Sequence, residues 1–220
     1  SKKNFEKFND KIEHIIIEKE FPKNNSPWQN QAWQREFIFD GIKDASQEDL
    51  IMFSDPDEIP NPDKLKNFEL KKKYGIFFQK MYTYKINLFN KYESPWEGTR
   101  ICKKKNLKSI DWLRHKVLYK NLKYGFWRID KEKNIEIIDD GGWHFNYLLK
   151  PKEISKKFRS LAETSWDQEK YYNEKNIEEK IKQKRDLFNR GHVFEKVNID
   201  NSFPQYIRVN QNKYSDWILK

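Results

Sequence analysis

The stretch MFSDPDEIPNP, residues 52–62, places three carboxylates within four residues, directly after an apolar run. The acids are Asp55, Asp57 and Glu58, and the apolar run is LIMF, residues 50–53. An unbroken apolar run predicts a strand covered on both faces, as in a parallel sheet. Like charges crowded together raise carboxylate pKa values and destabilise a fold unless a cation faces them. The stretch therefore predicts a buried strand that delivers acidic side chains to a cation at its carboxyl end.

The segments before this strand predict the first part of an α/β unit. Residues 15–17 are three consecutive isoleucines, which predict a short strand. A helix is expected to follow, with Asn25 or Ser26 as its N-cap and Pro27 in its first turn, where proline is favoured. Strand, helix and the strand at 50–53 together indicate a βαβ unit.

The rest of the chain continues this alternation. Residues 74–89 form a second strand region, rich in β-branched and aromatic residues. Residues 124–148 predict strand, turn and strand, because the glycine pair at 141–142 interrupts the pattern. Residues 152–184 predict helix, and the C-terminal residues predict a loop and a terminal helix. Because no repeat, linker or internal boundary is visible, we expect a single α/β domain over residues 1–220, with a mixed, mostly parallel sheet flanked by helices.

The charge balance is basic. Lys and Arg number 44 against 34 for Asp and Glu, which gives a net charge of +10. Such a surface suits nucleic acid, an anionic membrane face or a phosphate-bearing small molecule, and it also arises from a general bias toward lysine in the composition. Charge alone therefore does not select a function.

Cysteine and histidine usage excludes two kinds of site. Cys102 is the single cysteine, so no intramolecular disulfide can form, which fits a reducing compartment and predicts a cytoplasmic location. The four histidines lie far apart in the sequence and none has zinc-site spacing: His14, His115, His144 and His192. No apolar run approaches the ~20 residues of a membrane-spanning helix, and no signal-peptide pattern is visible.

Asp55 and Asp57 are the strongest candidates for metal ligands. Alternate residues on an extended backbone point the same way, so both carboxylates are expected to face one cation, with Asn61 as a further oxygen ligand. Oxygen ligands suit Mg²⁺ or Mn²⁺, with water and substrate phosphates completing the shell. A lone Asp-x-Asp is more often a surface turn, and the preceding apolar strand is what favours the metal site here.

The chain contains five motifs that carry a family resemblance: SDPDEIPNPDKL, GGWHFNYL, KKFRSLAETSWDQ, NIEEKIKQKRDLFNRG and IDNSFPQYIRVNQNKY. Taken together, from about residue 13 onward, they resemble glycosyltransferase family 17 and occur in that family's order. Its eukaryotic members include the β-1,4-mannosyl-glycoprotein N-acetylglucosaminyltransferase that adds bisecting GlcNAc. There are two departures. Family members usually begin with a further βαβ segment, which nothing in this chain matches. This chain also has SLAETS where the family tends to show a His and an acid.

The resemblance implies a GT-A-type fold and an inverting, metal-dependent transfer of GlcNAc from UDP-GlcNAc to a glycan hydroxyl. The implied partners are a nucleotide sugar and a glycan acceptor, with no nucleic acid, while association with a membrane surface and the oligomeric state stay open. In this reading Asp55 and Asp57 bind Mn²⁺ or Mg²⁺, which neutralises the departing diphosphate. His144 is the third candidate ligand; without the resemblance it is more often a satisfied core histidine. Glu58 and Glu163 are the favoured candidates for the catalytic base, with Asp139 and Asp140 behind them.

Four further residues are candidates for binding the donor. Arg190 carries a fork of donors suited to phosphate, although it also fits a solvated residue at a helix end. Arg35 and Arg100 are alternative phosphate ligands, or else structural ion pairs. Trp143, like Trp96, could offer an indole platform to a sugar ring, or else belong to the core.

Two other functions fit parts of the same pattern. A metal-dependent nuclease or phosphodiesterase could use the same Asp pair, but the sequence shows no second acidic or histidine cluster with the spacing that such sites need. A non-catalytic carbohydrate-binding domain, descended from a transferase, would keep the fold without affinity for UDP.

Overall fold

The structure, a computed structural model, describes residues 2–159 and 169–220 of the chain. Its centre is strand β3 (Tyr74–Thr83), whose side chains are almost all buried. It pairs antiparallel with β5 (Trp96–Lys103) on one side and parallel with β6 (Ile135–Asn146) on the other. The aromatic and β-branched residues that predicted a strand at 74–89 therefore form the middle of the sheet.

Four shorter strands complete a seven-stranded sheet. Strand β1 (Leu50–Phe53) pairs with β5, and β2 (Glu58–Pro60) pairs with β6. Strand β4 (Leu88–Phe89) pairs with β3, and β7 (Glu195–Lys196) pairs with β4. All four pairings are antiparallel.

Helices flank the sheet. The α-helices in the described residues are α1 (Pro27–Glu36), α2 (Pro62–Leu65), α3 (Ile110–Lys116), α4 (Pro151–Arg159), α5 (Glu169–Tyr172), α6 (Glu174–Lys182) and α7 (Gln205–Val209). The 3₁₀ helices are Lys2–Lys11, Phe37–Ile42, Lys104–Asn106, Tyr119–Lys123 and Gln211–Trp217. None of these helices is long and apolar enough to cross a bilayer. The predicted mixed α/β class is confirmed, and the curled sheet with flanking helices is consistent with a GT-A-like fold.

The predicted strand direction is wrong. Among the described strands only β3 and β6 run parallel, so the sheet is mixed but mostly antiparallel. Among the described strands β1 pairs only with β5, and residues 15–17 form no strand, so residues 15–53 do not form the predicted βαβ unit. An apolar run reports burial, and Ile51 and Phe53 are buried as predicted, but burial does not specify the direction of the neighbouring strand.

The predicted start of the first helix is confirmed. Ser26 caps α1 in a capping box with Gln29, and Pro27 occupies the first turn as predicted. The helix predicted over 152–184 is instead three helices, α4 to α6, in the described part of that region. A helix near the C-terminus is confirmed by α7.

The glycine pair at 141–142 does not end a strand, because β6 continues through it as a bulge. Phe77 is opposite Ile138 and Gln79 is opposite Gly142, so three residues of β6 lie opposite the single residue between them on β3. Such a bulge bends and twists a strand. Here it brings the end of β6 against β2, whose Pro60 pairs with Gly142.

Gly142 is required at this crossing for two reasons. Its φ of +138° is a conformation that residues with a Cβ rarely adopt. A Cβ at this position would also overlap the carbonyl oxygen of Ile59 on β2. The close approach of β2 to β6 therefore depends on the absence of a side chain.

We expect Gly142→Ala to lower the free energy of unfolding by about 2 kcal/mol or more, because backbone strain and steric overlap add. Gly191→Ala is the matched control: Gly191 also has positive φ, at +80°, but nothing lies within 4 Å of an added Cβ. Urea denaturation of the two variants checks this. Equal losses would mean that the contact between β2 and β6 is not constrained as described.

Candidate active site

The acidic stretch forms a tight turn between β1 and β2. The backbone N–H of Glu58 donates to the carbonyl of Asp55 at 2.9 Å, so the residues between them are not extended. The expectation that Asp55 and Asp57 point the same way rested on an extended backbone and is wrong in this geometry. The two carboxylates instead contact different partners.

Pairing of β2 with β6 places His144 beside this turn. Glu58 lies opposite His144 in the antiparallel register, and the backbone N–H of Phe145 donates to the carbonyl of Asp57 at 2.9 Å. Directly opposed residues lie on the same face of a sheet. Glu58 and His144 therefore share one face, while Ile59 and Trp143 share the other.

Asp55 is held by two arginines. Its carboxylate lies 3.0 Å from Arg114 Nη2 and 3.7 Å from Arg35 Nη2, and Arg114 Nε also donates to it at 3.1 Å. Both arginines are largely buried, with 13% of each side chain exposed. Arg114 also contacts Glu58, with its Nη2 3.3 Å from the Glu58 carboxylate, and its Nη1 donates to the carbonyl of Glu97 at 3.1 Å. Asp55 is thus part of an internal ion-pair network.

Glu58 is buried at the base of the turn. Its carboxylate accepts hydrogen bonds from Trp96 Nε1 at 2.8 Å and from Arg114 Nη2 at 3.3 Å, and its side chain is 1% exposed. Burial raises the pKa of Glu58, and the negative charge of Asp55 acts in the same direction, while Arg114 and Trp96 oppose the rise. A carboxyl group with a raised pKa is suited to proton transfer, but this one is enclosed by its partners.

Asp57 is the acid of the turn that faces away from the arginines. Its carboxylate lies 3.4 Å from His144 Nε2 and 3.9 Å from Lys157 Nζ of α4. Burial taken alone would raise the pKa of Asp57, but the hydrogen bond from His144 and the charges of His144 and Lys157 outweigh burial and lower it. Asp57 is therefore an ionised carboxylate with about a third of its surface open.

His144 is packed firmly at this position. Its ring lies 4.8 Å from that of Trp96, centroid to centroid, and the residue is 5% exposed. Its Nδ1 is buried and has no hydrogen-bond partner within the described part of the chain. One ring nitrogen therefore faces Asp57, and the other is buried without a hydrogen-bond partner among the described residues.

Arg190 and His144 both line one small cavity. It donates to Asp186 at 2.7 Å and to Glu93 at 2.7 Å, and these two carboxylates raise its pKa against the opposing effect of burial. The cavity measures about 190 Å³ and is lined by Arg190, His144 and Trp96, among others. The structure thus brings Asp57, His144 and Arg190 to neighbouring parts of one region.

Comparison with protein families decides the assignment. The model of glycosyltransferase family 17 matches residues 1–192, which include the acidic turn, His144 and Arg190. The chain belongs to glycosyltransferase family 17. It is therefore a glycosyltransferase, as the five motifs predicted. Neither the curated proteins nor the solved structures give a significant match.

The remaining predicted site residues of this family 17 glycosyltransferase lie elsewhere. Arg35 contacts Asp55 and Asp111 and lines a cleft of about 360 Å³ on the far side of the turn. Arg100 is 1% exposed and donates to the carbonyls of Val117, Glu97 and Gly98; burial lowers its pKa to about 10. Its contacts are those of a structural arginine.

Trp143 faces the opposite side of β6. Its Nε1 donates to the carbonyl of Ser202 at 2.8 Å, and the residue lines a cleft of about 900 Å³ together with α2 and α7. Asn61 caps α2 and donates to the carbonyl of Asp140 at 3.1 Å, so it supports the bulge of β6. Glu163 lies outside the described residues.

The sequence missed the residues that organise the turn. Arg114 and Lys157 contact Asp55 and Asp57 from α3 and α4, and neither belonged to a recognisable local pattern. Lys157 does lie in the KKFRSL block shared with the family, which was the available signal. In the described residues, no group of three or more His, Cys, Asp or Glu side chains comes together as a metal site.

Asp55→Asn should lower the free energy of unfolding by about 1–3 kcal/mol, because the amide leaves Arg114 and Arg35 without a full counter-charge in a largely buried site. Asp57→Asn is the matched control, since the two side chains are 27% and 31% exposed. We expect the control to change stability by less than about 1 kcal/mol. Chemical denaturation at neutral pH measures both, and a larger effect at Asp57 would contradict the structural role of Asp55.

Glu58→Gln should change how stability depends on pH. The pKa of Glu58 is raised in the folded state, so its contribution to stability is full below the ordinary value of 4.5 and is lost as pH rises through the folded-state value. Glutamine does not titrate and keeps an oxygen acceptor for Trp96. The stability of the variant relative to wild type should therefore increase with pH above 4.5, as measured by urea titrations across this range. A relative stability that falls over the same range would contradict a raised pKa.

Proposed function

We propose that this family 17 glycosyltransferase transfers a sugar, GlcNAc as the expected one, from a UDP-sugar to a hydroxyl of a glycan acceptor, with inversion and with help from Mn²⁺ or Mg²⁺. The observation that carries the proposal is the pair formed by Asp57 and His144 near the carboxyl ends of the parallel strands β3 and β6. Ligands of open α/β sheets bind at the carboxyl ends of strands.

The side chains at this position fit a divalent cation in part. Asp57 offers a carboxylate oxygen and His144 offers Nε2, a mixed donor set that favours Mn²⁺ over Mg²⁺. Asp55 is engaged by Arg114 and Arg35, so we assign it to holding the turn. When bound, the cation would neutralise negative charge that develops on the departing diphosphate.

The chain supplies positive charge of its own around the same position. Lys157 lies 3.9 Å from the Asp57 carboxylate, and Arg190 lines the adjoining cavity. Lys157 can orient an anionic diphosphate by a charge-assisted hydrogen bond, and Arg190, whose fork is held by Asp186 and Glu93, contributes positive charge at the edge of the cavity. The carboxylates that now pair with Arg190 keep it charged and fixed in place.

The base is proposed among the acids predicted from the sequence. Glu58 touches Trp96 and Arg114 and is 1% exposed, which supports a role in positioning the turn. A base must reach the acceptor hydroxyl within hydrogen-bond distance. Glu163, which follows Lys157 in the same sequence block, is the proposed base.

The decisive variant is Asp57→Asn. We expect it to reduce metal-dependent release of UDP from UDP-GlcNAc by ~100-fold or more, because a neutral amide is a much weaker ligand for the cation. The melting temperature should stay close to that of wild type. Asp44→Asn, which removes an exposed acid, is the control and should keep wild-type turnover.

Calorimetry with UDP, with and without Mn²⁺, separates the proposal from its rivals. A transferase of the proposed kind binds UDP in the presence of Mn²⁺ and loses this affinity in Asp57→Asn. A non-catalytic carbohydrate-binding domain would show no affinity for UDP under either condition. Nicking of plasmid DNA with Mn²⁺ by the wild type, abolished in Asp57→Asn, would instead indicate a nuclease.

A further inference from the structure

The most exposed apolar side chains of the described chain include three that lie together in the loop before β6. Phe126, Trp127 and Ile129 are 89%, 69% and 94% exposed, respectively. We call these three residues the aromatic tip. Side chains of this size are rarely so open in a protein whose function does not require it.

The aromatic tip belongs to an ordered loop. The N–H of Arg128 donates to the carbonyl of Gly125 at 3.1 Å, and Arg128 holds Asp130 with two bonds of 2.7 Å each. The Phe126 and Trp127 rings pack edge to face, with centroids 5.4 Å apart. The exposure therefore results from a defined backbone that directs apolar side chains outward.

Basic residues flank the aromatic tip in the sequence, and Lys116 and Lys120 line a cleft together with Ile129. Residues 116–133 contain six basic and two acidic side chains. Lys116, Lys120 and Lys123 are exposed, and both acids are adjacent to basic residues of the same loop. The surface around the tip is thus positive.

From this combination we propose that the loop docks the protein on an anionic lipid bilayer, with the aromatic tip inserted at the headgroup level and the lysines paired with lipid phosphates. Trp and Phe favour the interfacial region of a bilayer, and exposed lysines are attracted to anionic lipids. The tip is a protruding loop end, so a protein partner would need a matching pocket, whereas a bilayer does not. The proposal is independent of the sugar donor and of the reaction.

The test uses the full chain and sedimentation with vesicles of phosphatidylcholine alone or with roughly 30% phosphatidylglycerol. Wild type should bind the anionic vesicles, and binding should weaken when salt rises from about 0.1 M to about 0.5 M. The triple variant Phe126→Ser, Trp127→Ser, Ile129→Ser should bind at least ~10-fold more weakly. Lys120→Gln with Lys123→Gln should weaken binding to anionic vesicles by about fivefold for each charge removed.

The matched control is Ile16→Ser with Val209→Ser, which removes two apolar side chains that are 69% and 71% exposed but lie elsewhere. It should bind as wild type does, and circular dichroism should show that every variant is folded. The proposal would be overturned if the wild type did not bind anionic vesicles, or if the triple variant bound them with unchanged affinity. It would also be overturned by a wild-type dimer in sedimentation velocity that the triple variant abolishes, since the tip would then be covered by a second copy.

Discussion

The contact of Arg114 with Asp55 and Glu58 is the interaction on which the rest of the site depends. One guanidinium lies 3.0 Å from Asp55 and 3.3 Å from Glu58, and it also donates to the carbonyl of Glu97 in β5. Two carboxylates this close would repel each other and resist ionisation without a cation between them. Arg114 supplies that cation from α3, and it thereby ties the turn after β1 to the neighbouring strand.

This arrangement divides the acidic turn into residues with different surroundings. Asp55 and Glu58 are satisfied internally, and removing either partner would leave a charge in a largely buried site. Asp57 faces the other way, toward His144 and Lys157, and keeps part of its surface open. An acid that the fold does not neutralise with arginine is the one available to a ligand. Most of the charge in the turn thus belongs to a structural network, and Asp57 is the carboxylate that we propose as the ligand.

Features that depend on neighbouring residues, such as a helix cap, could be predicted from the sequence. Features that depend on contacts between distant residues could not. Ser26 and Pro27 mark the start of α1 because a cap acts within one turn. Asp57 and His144, predicted as ligands of one metal, lie 3.4 Å apart, and their role as ligands stays a proposal. The direction of β1 was wrong because its apolar residues encode burial alone. Arg114 was missed because 59 residues separate it from Asp55 and no pattern in α3 marks it. The glycines at 141–142 suggested a break, whereas their real constraint is the backbone of β2, which only the folded chain brings near.

Four of the arginines are mostly buried, whereas many lysines are exposed. This difference explains why the net charge alone did not indicate a function. Arg35, Arg100, Arg114 and Arg190 are wholly or partly buried and contact carboxylates or carbonyls, which suits a planar group with several donors. Their charges are largely compensated within the molecule. The uncompensated excess lies on exposed lysines such as Lys116, Lys120 and Lys123, next to the aromatic tip. A surface with exposed lysines and protruding aromatic side chains matches an anionic bilayer. The lipid phosphates can pair with the lysines, and the hydrocarbon below them can receive the aromatic rings. Neither bulk water nor a flat polar protein surface offers both contacts.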